Sequence, residues 1–188
     1  MSIFIIPTNT CFWIACPVLD INDYINIYKI KARSFDKPLA ILCKNFNYLE
    51  QNTWLNKKQI NFLKNYTKPW TILIDKNNIN DNELIKNINK LPNSKIYQKI
   101  AFRVHHNEIQ QKLTTKYNLL FLTSANKSGK SEIITSHDIK NEFKNEIQKY
   151  NIKILPKESF EIKSNQQSSD IFEFIWKKTE IKYLRKRC

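Results

Sequence analysis

Glycine is almost missing from this chain. Gly129 is the single glycine in 188 residues, where an average usage of about 7% predicts roughly thirteen. Metal-type spacing is missing too. Cys11, Cys16, Cys43 and Cys188 form no CxxC pair, which points to a reducing cytoplasm rather than to a disulfide framework or a zinc site. The histidines show neither HxxH nor HExxH, so a dedicated protein metal site is not expected. No apolar run approaches membrane-spanning length, and Met1–Pro7 is too short for a signal peptide, which excludes a membrane role. There are no internal repeats and no sign of a second unit, so residues 1–188 read as one domain with room for a substantial core.

Acidic residues are also scarce, 17 against 31 lysines and arginines, for a formal charge of +14. Such a charge invites direct tRNA or other RNA contact. The basic residues are spread rather than clustered, however, and Lys, Asn and Ile dominate throughout, as an AT-rich gene would produce.

What is present centres on Lys31–Leu42. Lys31, Arg33 and Lys37 precede Pro38 and an apolar run that reads as a buried strand. On extended backbone Lys31 and Arg33 point the same way. A guanidinium fork beside a compact ammonium suits a polyphosphate, and an exposed cation at a strand mouth contributes little to stability. The plain alternative is a solvated basic loop; the flanking stretches tip the balance.

Ile3–Ile6 reads as a strand running into Pro7-Thr8-Asn9-Thr10-Cys11-Phe12. If that segment is extended, the hydroxyls of Thr8 and Thr10 face one side, as the lining of a small-molecule pocket. A Thr-rich strand end that caps itself is the alternative. Asp20 or Asn22 caps a helix of about ten residues with Ile21, Tyr24, Ile25 and Tyr28 inward. An Asn-rich surface segment leads to a helix over Lys57–Asn65, then to a strand at Thr71–Ile74. Residues 75–96 read as a loop with one short helix at Glu83–Ile88.

Ile100–Val104 is the next strand, and its Arg103 needs a ligand, a carboxylate or the surface. His105 and His106 read as bystanders. Asn107 caps a helix through Tyr117. Leu119–Leu122 is a fully apolar strand ending in Thr123-Ser124-Ala125-Asn126-Lys127-Ser128-Gly129. That turn presents small donors above the sheet, although its spacing is not that of a Walker loop. Ser136 caps a helix bearing Ile139, Phe143 and Ile147. Ile152–Leu155, Asp170–Phe174 and Ile181–Leu184 read as strands, with Ser164–Ser169 as a polar linker or lid.

Pro7–Cys16 resembles the Pro-Thr-Asp-Thr-Val-Tyr-Gly-Leu-Gly-Cys signature of the YrdC/TsaC family, the threonylcarbamoyl-AMP synthases. Lys31-Ala32-Arg33 with Lys37-Pro38-Leu39 resembles its KxR element, and Pro69-Trp70-Thr71 the end of its Pro-Gly-Pro-x-Thr segment. Arg103-Val104 resembles its arginine strand, and Thr123–Gly129 its Thr-Ser-Ala-Asn-x-Ser-Gly element. Ser169 with the strand after it, and Leu184-Arg185, resemble the closing elements.

The resemblance implies an α/β fold with a twisted, mixed open sheet, flanking helices and a basic concave face. It implies a nucleotidyltransferase joining L-threonine, bicarbonate and ATP, with Mg²⁺ bridging phosphates, into threonylcarbamoyl-AMP and pyrophosphate. By the same token Lys31 and Arg33 serve the reacting phosphates. Lys37, Thr71, Ser124, Asn126, Ser169 and Arg185 hold the nucleotide, and Thr8, Thr10, Phe12, Arg103 and Thr123 surround threonine. The product passes to a tRNA-modifying transferase complex. Two alternatives remain: an RNA-binding or ribosome-assembly module of the same fold, and a carbamoyl-transfer enzyme of the hydrogenase-maturation type.

The chain departs from that pattern in places. Asn9 replaces an acid, Phe12 lacks the tyrosine hydroxyl, Asp170 replaces a Thr, and Ala15, Ala32 and Lys68 stand at family glycines. The chain begins directly at the first strand, without the helix that commonly precedes it in that family, which leaves the completeness of its start open. Trp13 and Trp176 also align with glycines, which at turns usually mean positive φ or close backbone approach. The codon UGA is read as Trp in some lineages and Gly in others. The expectation is that Trp13 and Trp176, with Trp54 and Trp70 as further candidates, stand for glycine. Codon bias that depleted glycine is the alternative.

Overall fold

The computed structural model describes residues 2–162, 169–175 and 178–186. Its strands are β1 (Phe4–Pro7), β2 (Phe12–Pro17), β3 (Ala40–Cys43), β4 (Trp70–Asp75), β5 (Lys99–Val104), β6 (Leu120–Ser124), β7 (Lys153–Ile154), β8 (Asp170–Phe174) and β9 (Ile181–Arg185). They form one open sheet in the order β7-β1-β2-β6-β3-β5-β4-β8-β9. Pairing is mixed: β1–β7, β3–β5 and β4–β8 run parallel, the other neighbours antiparallel. The helices are α1 (Ile21–Lys31), α2 (Phe46–Asn52), α3 (Lys57–Asn65), α4 (Asn82–Asn89), α5 (Glu108–Tyr117), α6 (Ser136–Glu142) and α7 (Lys144–Lys149). None of the described helices is long and apolar enough to cross a membrane.

Strand alternation divides the buried residues between two faces. Ile5, Ile14, Ile41, Phe102, Ile72 and Phe172 face a large core that also takes Tyr24 and Ile27 of α1, Ile60 and Leu63 of α3, and Leu84 and Ile88 of α4. The opposite face buries a smaller cluster, Phe4, Ile6, Trp13, Ala15, Leu42, Leu120 and Leu122, under Leu113 of α5. Away from α5 that second face opens, and Leu184 on β9 is exposed. The large core therefore holds the fold, while the second face is more thinly covered.

Capping fixes the helix bounds. The side chain of Asp20 accepts from the Asp23 amide, and that of Asn107 from the Gln110 amide. Asn56 and Gln59 form a reciprocal capping box on α3. Three expectations need correction. Asn45 caps α2 within the segment read as an irregular surface stretch. Thr135 caps α6, with Ser136 as its first residue. The single helix expected through Ile147 is two, because Phe143 between them leaves helical geometry at φ −114, ψ 22.

Candidate functional site

The mouth of the candidate site is framed by three loops, with further residues from the strands beside them. The first loop is Thr8–Cys11, a tight turn joining β1 to β2 rather than the extended segment expected. The Thr8 amide donates to the Cys11 carbonyl at 3.1 Å. Thr8 Oγ1 lies 3.0 Å from Thr10 Oγ1 and donates to the Cys11 carbonyl at 2.8 Å. The hydroxyls therefore hold the turn's own shape, as Thr and Asn do where glycine is missing. Below the turn, Asn107 and Gln110 of α5 donate side-chain N–H groups to the Pro7 carbonyl at 3.1 and 3.0 Å.

The second loop follows α1. Lys31 is the last helical residue, and Ala32 takes a left-handed conformation at φ 48, ψ 46. The Ala32 amide donates to the Lys29 carbonyl at 3.2 Å and the Arg33 amide to the Tyr28 carbonyl at 2.9 Å, closing the helix end. Lys31 and Arg33 are thus separated by a sharp turn and do not share an extended face. Arg33 donates from Nε to the Lys37 carbonyl at 3.2 Å and from Nη2 to the Pro38 carbonyl at 3.1 Å. The Tyr28 hydroxyl also donates to the Lys37 carbonyl at 2.9 Å, and the Phe35 ring stacks on Tyr28 with centroids 4.3 Å apart. These contacts leave Lys37 itself exposed at the rim.

The third loop is Ser124–Lys130, and it wraps the end of α1. Ser128 donates its amide to the Lys31 carbonyl at 2.9 Å, and Lys127 its ammonium to the Ile30 carbonyl at 2.7 Å. Lys31 is only 1% exposed. Its Nζ donates to the backbone carbonyls of Ser124 and Asn126, with Asn126 Oδ1 at 3.4 Å. This corrects the expectation of an exposed strand-mouth cation: the ammonium is a buried strut. Burial above all, then the neighbouring Arg33, pulls its pKa down from 10.5 to about 7, while Cys11 and Glu132 oppose the fall.

Arg103 projects from β5 on the second face and is 5% exposed. Its Nη2 donates to Asn9 Oδ1 at 3.0 Å, and its guanidinium lies 4.5 Å from the centre of the Trp13 ring. Burial first, then Arg185, brings it down to about 10, so it stays cationic at neutral pH. The same cation adds to burial in holding His106 down at about 4. Burial, then the Glu132 carboxylate, pushes the Cys11 thiol up to about 12. Arg103 also borders a pocket of about 220 Å³ lined by Asn9, Phe46, Tyr66, Trp70 and His106.

At the start of β8, Thr71 Oγ1 and Ser169 Oγ lie 3.1 Å apart. Arg185 donates to the Ser169 carbonyl from Nε at 3.0 Å and from Nη2 at 2.7 Å. Thr71, Ser169 and Arg185 are thereby one group, and Lys31, Ser124 and Asn126 another. Phe12 and Thr123 stand apart from Trp13 and Ser124. Thr123 lies opposite Ile14, and Phe12 shares that face by alternation. Phe12 is fully buried there, edge-on to Phe160. As the chain stands, Phe12 packs behind the site rather than lining it.

Sequence reasoning missed Glu132, whose carboxylate is felt by Lys31, Arg103 and Cys11 alike. No local pattern marks it, because only the fold brings residue 132 to that mouth. The glycine expectation is a statement about codons; the backbone at three of its four positions does not itself demand glycine. Positive φ among non-glycine residues falls at Ala32, Asn118 and Asn151, not at Trp13, Trp54 or Trp70. The Trp13 ring is housed in the smaller cluster, Trp54 Nε1 donates to Asn80 Oδ1 at 3.2 Å, and Trp70 packs on Phe46. Trp176, Cys188 and residues 164–168 of the linker lie outside the described residues.

Known proteins resemble this chain in sequence profile and in fold. Among curated proteins no relative matches. Among solved structures, P. abyssi Sua5 complexed with L-threonine aligns at TM-score 0.71 and 22% identity, over 98% of this chain and 50% of that one. E. coli YciO aligns at TM-score 0.67 and 14% identity, over 98% and 82%. Full-length HypF in the phosphate- and nucleotide-bound form aligns at TM-score 0.66 and 15% identity, over 92% and 25%. The chain thus spans about half the length of the Sua5 structure it matches. A profile described as Telomere recombination, Sua5_yciO_yrdC, covers residues 2–186. By that match the chain belongs to the Sua5/YciO/YrdC family.

Proposed function

We propose that this chain is an L-threonylcarbamoyladenylate synthase, using L-threonine, bicarbonate and ATP and releasing pyrophosphate. The observation that carries the reading is the convergence of the Thr8–Cys11 turn, Arg103, the Ser124–Lys130 loop and the cations after α1 on one mouth. The Sua5 relative complexed with L-threonine and the HypF relative in a phosphate- and nucleotide-bound form support a site of this kind.

In this reading the threonine carboxylate lies on Arg103 and the methyl end enters the pocket of about 220 Å³. That volume is below the 300–1,000 Å³ typical of drug-sized ligands and suits a small amino acid. Bicarbonate takes up a proton and loses water to give CO2. The threonine ammonium, after releasing a proton, adds to it as the free amine and loses a second proton to leave a carbamate. One carbamate oxygen attacks the α-phosphorus, the bond to the bridging oxygen breaks, and pyrophosphate leaves with the electron pair. Negative charge grows on the departing group, so cations already in place lower the barrier. In this reading Arg33 and Lys37 take that role. Lys31 acts from behind, holding the Ser124–Asn126 backbone while its charge faces the phosphates. Thr71, Ser169 and Arg185 take the nucleotide on the far side.

Mg²⁺ arriving with ATP would neutralise phosphate charge during the transfer. Among the described residues no group of three or more His, Cys, Asp or Glu lies together. The product then serves a tRNA-modifying transferase complex. The test is pyrophosphate release by the purified chain with ATP, Mg²⁺, bicarbonate and threonine. Release is expected to need both threonine and bicarbonate; release indifferent to either contradicts the assignment.

A further inference from the structure

Two hydrogen-bond donors in the mouth have no acceptor. Trp13 Nε1 and Arg103 Nη1 are both buried and both unpartnered. The residues that carry them are 9% and 5% exposed. They are also neighbours, with the guanidinium 4.5 Å from the centre of the indole ring. The rest of Arg103 is provided for, since Nη2 donates to Asn9 Oδ1 at 3.0 Å. For Trp13 the nearest candidate is the Cys11 sulfur, which feels the indole without a well-formed bond and is a weak acceptor in any case.

A buried donor left alone is destabilising, and here there are two side by side. Such a pair marks the place of a missing acceptor. We propose that Trp13 and Arg103 together form a two-donor recess for the carboxylate of an α-amino acid, with the indole N–H taking one oxygen and Nη1 the other. The proposal deepens the threonine reading given above and rests on it for the identity of the ligand. What it adds is a binding role for Trp13, at a position where the family pattern has a glycine with no side chain to offer.

Glu132 is felt by both Arg103 and Cys11. An ammonium on the same ligand is attracted to that carboxylate. The pocket of about 220 Å³ that Arg103 borders then receives the side chain, with Phe46 and Trp70 in its wall.

The test follows the indole N–H of Trp13 by nitrogen-15 NMR in the full chain. Its resonance is assigned by comparing Trp13→Phe with Phe variants at Trp54, Trp70 and Trp176, so the assignment survives if one variant fails to fold. L-Threonine, acetate, bicarbonate and pyrophosphate are titrated separately. L-Threonine is expected to move the Trp13 signal downfield. Trp13→Phe keeps a ring over Arg103, and it is expected to bind threonine about tenfold more weakly with pyrophosphate affinity unchanged. Threonine binding with an unmoved Trp13 signal, or equal binding by Trp13→Phe, overturns the recess and leaves the threonine reading standing. A shift with acetate or bicarbonate but no threonine binding upholds the recess and removes threonine as its ligand. No shift with any carboxylate or bicarbonate, or a shift with pyrophosphate alone, overturns the recess.

Discussion

The ammonium of Lys31, at the last turn of α1, donates to the backbone carbonyl of Asn126 and so ties the helix to a loop 95 residues away. A second bond reaches the Ser124 carbonyl. Removing the side chain leaves those carbonyls without their donor in a buried place. Lys31→Ala is expected to lower unfolding stability by about 2 kcal/mol, as measured by urea denaturation. Unchanged stability would show that the strut is not needed.

Arg33 behaves differently because it is only partly buried and spans its own loop. Arg33→Ala is expected to cost under about 1 kcal/mol in stability. Its loss of a charge-assisted contact with the leaving group should nevertheless cut turnover by roughly 10²-fold. Near-normal turnover in a folded Arg33→Ala protein would remove this cation from the reaction.

Lys31 also sets a pH dependence. Its folded value, about 7, lies below the ordinary 10.5. Between those values the unfolded chain binds more protons, so stability should rise with pH across that window, relative to a Lys31→Met variant. A polyphosphate placed beside the amine favours the charged form and raises its pKa. Calorimetry at about pH 8, in buffers of differing ionisation enthalpy, should therefore show ATP binding with uptake of about one proton. Lys31→Met should show none. Equal uptake by both proteins would assign the proton elsewhere.

Ala32 occupies a left-handed conformation at φ 48, where a Cβ is strained and glycine is the usual helix terminator. Ala32→Gly is expected to raise stability by up to about 1 kcal/mol. A loss of stability would mean that the unfolded-state entropy of glycine outweighs the relieved strain.

That same residue shows why part of the chain was hard to read. Glycine marks helix ends and hairpin turns, and here Ala32 and Thr8–Cys11 do that work without it. The segment from Lys31 to Arg33 and the β1–β2 turn therefore both read as extended in the sequence. Where a side-chain cap was read the bound is legible, since α5 begins after Asn107 as expected; α3 at Lys57–Asn65 and β8 at Asp170–Phe174 follow their apolar patterns. The cap at Asn45 was lost among neighbouring asparagines. Membership of the family was legible from ordered motifs. The pairing of Arg103 with Asn9, the stack on Trp13 and the approach of Glu132 were not, because each is made by strands distant in sequence.

The most direct measurement looks for the product itself. The purified chain is mixed with ATP, Mg²⁺, L-threonine and carbon-13 bicarbonate, and the mixture is read at once by mass spectrometry. The account predicts an adenylate carrying both threonine and one labelled carbon, formed together with pyrophosphate. A folded protein that binds ATP and threonine yet yields only unlabelled species, or a threonyl-adenylate without the labelled carbon, would contradict it.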